Sequence, residues 1–301
     1  MILTGTFKKS RYLKKGIKYT VICYLIVLLF WAIFPSCLSF RLSQKEIDKA
    51  FAHLQQKPTQ HIIEVNGKHI NYAEIGKDSL PAVIFVHGSP GSWSAFIDFM
   101  KDTVLLSKVK MVSVDRIGFG YSELGEAEKS LESQATYLLP IVEQYKRLGK
   151  KVILIGHSLG GPLIVKMAMD YPSLIDHLII VAGSISPYLE PNEKWFRIPL
   201  NFLPIKLLLP KSLQASNTEL LYLKPALEKM MPFWKNIYQP VIVIQGNKDV
   251  LVSPLNVTFA KKMLVNAKKL TFIINDTMNH FVPWSHPKLI KNAIDSALQY
   301  K

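Results

Sequence analysis

Three side chains far apart in this chain are of the types that together make an alcohol nucleophilic: Ser158, Asp249 and His280. A serine hydroxyl attacks a carbonyl only when a base takes its proton and a third group orients that base. Ser158 lies in Gly156-His157-Ser158-Leu159-Gly160, between an apolar run at 152–155 and a helix-spaced run starting at Pro162. In such a G-x-S-x-G pattern a strand turns sharply into a helix. The hydroxyl is presented at the apex, with the positive end of the helix aimed at it. The apex residue is expected in a strained backbone conformation, and the glycines are needed where strand and helix pass too close for side chains.

Asp249 follows one apolar strand, in Gly246-Asn247-Lys248-Asp249, and His280 follows the next, in Asn279-His280-Phe281. Serine, then aspartate, then histidine, all leaving one edge of a sheet, gives nucleophile, orienter and base in a known chain order. Each role has a rival. His286 stands at the start of the terminal helix beside Pro287 and reads as a surface residue. His157 would point away from the neighbouring hydroxyl. Asp276 precedes the histidine in its own loop and is badly placed to reach the far ring nitrogen, and the Gly183-Ser184 turn has no carboxylate. The developing oxyanion calls for two N–H donors. They are expected from Leu159, just after the nucleophile, and from Ser89 in the loop His87-Gly88-Ser89-Pro90-Gly91. Gly88, Trp93, Ile185 and Trp284 are expected to contact substrate. This chemistry needs no metal and no organic cofactor.

The elements that must position these groups follow a simple alternation. Asn66-Gly67, between alternating runs at 61–65 and 68–75, signals a β-hairpin. Beyond it, apolar runs at 82–86, 109–114, 152–155, 178–181, 241–244 and 270–274 read as buried strands, with helical stretches between most of them, including 130–148 and 287–300. That pattern predicts an α/β fold: a mainly parallel sheet with helices on both faces and chemistry at the carboxyl ends of the strands. The interval 185–234 is too long for a plain crossover. Its prolines at 187, 191, 199, 204, 210, 225 and 232 predict only short helices. Its apolar residues suggest a lid over the strand ends.

His87-Gly-Ser-Pro90, Asp115-Arg-Ile-Gly-Phe-Gly-Tyr-Ser122, Gly156-His-Ser-Leu-Gly160, Gly246-Asn-Lys-Asp249 and Asn279-His-Phe281 resemble the successive motifs of the α/β-hydrolase superfamily, in its branch with a lid after strand six. The resemblance spans roughly residues 60 to 300 and implies the fold rather than a substrate. Family members with aspartate at the nucleophile position are epoxide hydrolases and dehalogenases, which Ser158 argues against. Serine members include carboxylesterases, lipases, carbon–carbon bond hydrolases, thioesterases and proline-preferring aminopeptidases. The last usually carry tryptophan beside the serine, where this chain has His157 and Leu159. The resulting expectation is a serine esterase or lipase acting on an apolar acyl substrate. An aminopeptidase or amidase using Glu190 or Glu193 to anchor a free amine, a thioesterase, and a non-catalytic binding protein are the alternatives.

The length of 301 residues and 49% hydrophobic content suit one large α/β domain, expected over 61–301 after a linker helix at 41–60. The formal charge of +15 is scattered, which excludes a nucleic-acid-binding patch. Its densest cluster is Lys8, Lys9, Arg11, Lys14, Lys15 and Lys18, a basic tail over 1–18. No charge falls between Lys18 and Arg41. By length and by the basic flank, 19–40 reads as a signal anchor. The basic tail would then be cytoplasmic, the catalytic domain extracytoplasmic and the cell membrane a partner. Cleavage of this segment, or a lipoprotein anchor at Cys37 in Phe34-Pro35-Ser36-Cys37, are alternatives. The only cysteines, Cys23 and Cys37, lie here, so the domain has no thiol for a disulfide, zinc site or nucleophile.

Overall fold

The computed structural model describes residues 4–33 and 39–300, with side chains over 16–30 and 39–300. A helix, α1 (Thr4–Ile33), is followed by the short α2 (Gln44–Ala50) and the hairpin β1 (Thr59–Val65) and β2 (Lys68–Ile75). Asn66 and Gly67 both take positive φ, as a two-residue hairpin turn requires. Next come β3 (Ala82–Val86), α3 (Ile97–Met100), α4 (Thr103–Leu106), β4 (Lys110–Val114), α5 (Leu131–Arg147), β5 (Val152–His157), α6 (Gly160–Asp170) and β6 (His177–Val181). An insertion holding α7 (Lys194–Leu200) and α8 (Lys211–Met230) leads to β7 (Val241–Gly246), α9 (Asn256–Met263), β8 (Leu270–Asn275), α10 (Val282–Ser285) and α11 (Pro287–Gln299).

The eight strands form one sheet in the order β1-β2-β4-β3-β5-β6-β7-β8. β1 and β2 pair antiparallel, as do β2 and β4, and every other pairing is parallel. Every residue of β3, β4, β5 and β6 is buried. These runs do not alternate because helices cover both faces. Alternate residues divide between two cores. Ile84 and Val86 face α5, α6 and α8, while Val83 and Phe85 face Trp93, Phe96, Phe99 and the inner side of α11.

Two elements depart from expectation. Ser43 and Glu46 form a capping box on α2. This helix, expected only as a linker within 41–60, is part of the folded domain: Ile47 and Phe51 are fully buried in the second core. Arg41 Nε donates to the Gly120 carbonyl at 2.6 Å, and Tyr121 Oη donates to the Leu42 carbonyl at 3.0 Å. In the insertion, α8 runs for 20 residues through Pro225 instead of breaking there. Proline removes a hydrogen bond to the carbonyl four residues earlier. Here that residue is Leu221, and both it and Pro225 line a cavity on the outer face of the helix.

Among the described residues no helix is long and apolar enough to cross a membrane. The expectation of a signal anchor over 19–40, of a membrane partner through it and of an extracytoplasmic domain is thereby overturned. α1 begins at Thr4, so its opening turns are the basic ones. The uncharged stretch of α1, from Tyr19 to Ile33, rises about 22 Å against a hydrocarbon core of roughly 30 Å. Tyr24 Oη reaches the Pro204 carbonyl at 3.4 Å, and the helix lies against the turn at 205–208. Residues 34–38, with Cys37 of the lipoprotein alternative, lie outside the described residues.

Candidate active site

β5 delivers Ser158 into a left-handed conformation, φ 53°, before α6 begins. A side chain on Gly156 would place its Cβ 2.2 Å from the Gly160 carbonyl oxygen, and one on Gly160 would stand 2.2 Å from the Val86 carbonyl oxygen. Strand, helix and the neighbouring β3 therefore touch backbone to backbone. The Ser158 N–H is tied to the Val181 carbonyl at 2.9 Å. With the backbone fixed on three sides, the apex residue is held in a conformation that L-residues rarely adopt.

β7 and β8 bring the acid and base together. The Asp249 carboxylate accepts the backbone N–H groups of Leu251 and Val252 on one oxygen, at 2.9 and 2.8 Å. On the other it accepts Gln245 Nε2 at 3.1 Å and His280 Nδ1 at 2.9 Å. Burial pushes the Asp249 carboxyl up, but the bonds from His280 and the backbone outweigh burial and leave it below its ordinary value. An ionised carboxylate at Nδ1 fixes the proton there and leaves His280 Nε2 as the basic atom. Gly246 is required beneath: a Cβ there would meet the Met278 carbonyl at 2.1 Å.

His157 joins the serine and histidine loops. Its Nε2 lies 3.0 Å from the His280 carbonyl oxygen, and its ring is 4.9 Å from that of His280. Burial, aided by His280, lowers its pKa to about 4, so the ring is neutral and donates to that carbonyl. Among the described residues the Ser158 hydroxyl has no hydrogen bond to the imidazole of His280. Such contacts are often long without substrate and tighten in the complex. Asp276 accepts from Asn247 Nδ2 at 2.5 Å instead of approaching His280, and His286 Nδ1 meets the Ser285 hydroxyl at 2.9 Å.

The N–H groups of Ser89 and Leu159 have no internal acceptor among the described residues. Gly88 lies between their two loops, where a Cβ would come within 2.8 Å of Ser158 Cβ. The remaining substrate expectations divide. Trp284 is half exposed and stands edge-on to His157 at 5.4 Å. Trp93 is fully buried in the second core, and Ile185 is equally covered in the first. Glu193 is paired with Arg197, and Glu190 accepts from the Ser184 hydroxyl, with burial raising its pKa.

Sequence reasoning missed the group that holds the Ser89 loop. Arg116 is 1% exposed and uses all five guanidinium donors. Nε donates to the His87 carbonyl at 2.9 Å. Nη1 donates to Gln134 Oε1 at 2.9 Å and Glu219 Oε2 at 2.7 Å, and Nη2 to the Gly88 carbonyl at 3.0 Å and Glu219 Oε1 at 2.9 Å. Its backbone N–H donates to His87 Nε2 at 3.0 Å, which makes His87 Nδ1 the donor to the Gly88 carbonyl. Burial, reinforced by Arg116, pushes the His87 pKa well down and keeps it neutral. The adjacent Asp115 accepts from the Trp93 and Tyr121 N–H groups and from Asn71, with burial raising its pKa to about 6. A second link crosses to α8, from Ser89 Oγ to Ser216 Oγ at 2.9 Å. The arginine beside Asp115 was the available signal, but its partner lies 103 residues away. Among the described residues no cluster of histidine, cysteine or carboxylate side chains is arranged to hold a metal ion.

A family model described as alpha/beta hydrolase fold matches residues 81–207. The crystal structure of E-2-(acetamidomethylene)succinate hydrolase superposes with a TM-score of 0.61 at 19% identity, covering 81% of this chain and all of that one. Mouse epoxide hydrolase 3 is 21% identical over 272 residues, 75% of this chain and 72% of its own length. A 1-acylglycerol-3-phosphate O-acyltransferase of Arabidopsis thaliana is 27% identical over 123 residues, 40% of this chain. The match to that relative spans 29% of its length. The chain has the α/β-hydrolase fold.

Proposed function

We propose that this α/β-hydrolase-fold chain is a serine hydrolase that cleaves a carboxylic ester with an apolar acyl part through an acyl-enzyme. The observations that support the reading are a serine held at positive φ, backbone N–H groups of Ser89 and Leu159 that have no acceptor among the described residues, and a histidine from a loop at the same sheet edge whose Nδ1 is bound to an aspartate. Ser158 Oγ attacks the ester carbon while His280 Nε2 takes its proton. The carbonyl oxygen becomes an oxyanion held by the N–H groups of Ser89 and Leu159, and Asp249 stabilises the imidazolium. The proton then passes from His280 to the leaving alcohol. Water, deprotonated by the same nitrogen, releases the acid.

The similarity to epoxide hydrolase 3 supports the fold; epoxide opening by this route needs a carboxylate at the elbow, where this chain has serine. The insertion at 185–234 is read as a lid, because Tyr188, Trp195, Phe202 and Leu203 leave most of their apolar surface exposed. The engagement of Glu190 and Glu193 disfavours anchoring of a free amine. The test is labelling by a fluorophosphonate probe, together with turnover of p-nitrophenyl esters of graded chain length against amino-acid arylamides. Wild type is expected to be labelled and to prefer esters, and Ser158→Ala to do neither. Folded wild type that resists the probe would sink the enzyme reading; faster arylamide turnover would move it to the amidase class.

A further inference from the structure

α8 has two working faces. Ser216 and Glu219 point to the Ser89 loop and Arg116, whereas Leu221 and Tyr222 face a separate cavity of about 760 Å³ between the insertion and the loop at 125–129. That volume falls in the range of roughly 300–1,000 Å³ in which small-molecule sites lie. Its wall carries three cations from three different segments, Lys129, Lys194 and Lys206. None has a carboxylate within ion-pair distance among the described residues. Among the described residues the one lining carboxylate, Glu126, is taken by Lys68 at 2.6 Å. Lys129 lies 4.5 Å from the centre of the Tyr222 ring, so the apolar wall and the positive rim are continuous. Phe202 completes that wall with 63% of its surface exposed.

Three cations lining one apolar recess, whose lining carboxylate Glu126 is already paired with Lys68, favour a ligand with a negative head and a hydrocarbon tail. We propose that this cavity binds a single-chain anionic amphiphile, an alkyl carboxylate or alkyl phosphate, at a site separated from Ser158 by the thickness of α8. The head sits among the lysines and the tail against Phe202, Leu221 and Tyr222. This inference concerns binding alone and does not rest on the hydrolase reading.

Calorimetric titration of the full chain with decanoate, decyl phosphate, decanol and decyltrimethylammonium, below their aggregation concentrations, tests it. Both anions are expected to bind, with the tighter one identifying the head group, and decanol and the cation at least about tenfold more weakly. Each methylene removed should weaken binding about fourfold. Each lysine changed to alanine should weaken the anions about fivefold. A triple Lys→Arg variant should bind as wild type. Leu221→Trp, which fills the recess without altering charge, should weaken both anions, and Ser158→Ala should leave them unchanged. Equal affinity for decanol and the anions, wild-type affinity in the folded triple alanine variant, or loss of binding in Ser158→Ala would each overturn the proposal.

Discussion

At the ends of β3, β5 and β7, a Cβ on Gly88, Gly156, Gly160 or Gly246 would lie 2.1–2.8 Å from a neighbouring atom. In the insertion, Tyr188, Trp195, Phe202 and Leu203 expose between 63% and 79% of their surface. One region has its backbone set by contact and its polar groups by buried hydrogen bonds. The other is held by proline and partial packing. The contrast separates tasks: positions that place reacting atoms tolerate no added volume, and positions that shape what enters can vary. α8 belongs to both regions, bound inward to Arg116 and Ser89 and open outward to the cavity.

The largest expected effect lies in the first region. Asp249→Asn should lower kcat by about 10⁴-fold with KM little changed, since the imidazole loses its orienting anion and its tautomer. A steady-state assay showing less than a tenfold loss would mean that the Asp249–His280 pair is structural. Glu219→Gln leaves Arg116 as an uncompensated buried cation, which should cost about 3 kcal/mol in urea denaturation. It should also reduce kcat more than it raises KM. An unchanged midpoint would show that α8 is not tied to the Ser89 loop.

Acid should loosen the first region before the second. His157 titrates near 4 in the fold against about 6.5 in an unfolded chain, so its contribution is complete above pH 6.5 and is lost as pH falls towards 4. By pH 5 that is about 2 kcal/mol, and His87 acts in the same direction. Asp115, raised to about 6, opposes them by roughly 1 kcal/mol, because its penalty fades as it takes up a proton. Thermal unfolding followed from pH 7 to pH 5 would reveal the net loss; a rising Tm would refute it. The smallest effect is expected from Trp195→Ala, within about 0.5 kcal/mol in stability. It should shift the preference for acyl-chain length, and an unchanged ester profile would deny the insertion a part in selection.

Local pattern carried much of this legibility. Each parallel strand fell on its apolar run, and Asn66-Gly67 marked its turn, because burial and turn geometry act over a few residues. The Asp249–His280 contact was readable because each residue directly follows a strand, and parallel strands end at one edge. What sequence could not supply was partnership at long range. Glu219 looks like any helical carboxylate until it meets Arg116, and nothing local distinguishes a buried Trp93 from one lining a pocket. Pro225 misled by the same token: a proline's local cost does not say whether the surrounding packing carries a helix through it, as α8 is carried here.

The placement of α2 bears on how the chain can be shortened. Ile47 and Phe51 reach under the sheet, and Arg41 and Leu42 brace the turn at Gly120 and Tyr121 that Asp115 also holds. A version trimmed to begin at residue 41 keeps this latch. One trimmed to begin at the hairpin would open a greasy hole beneath the sheet and free the turn above it, so the practical edge of the folded unit lies about 20 residues ahead of its first strand.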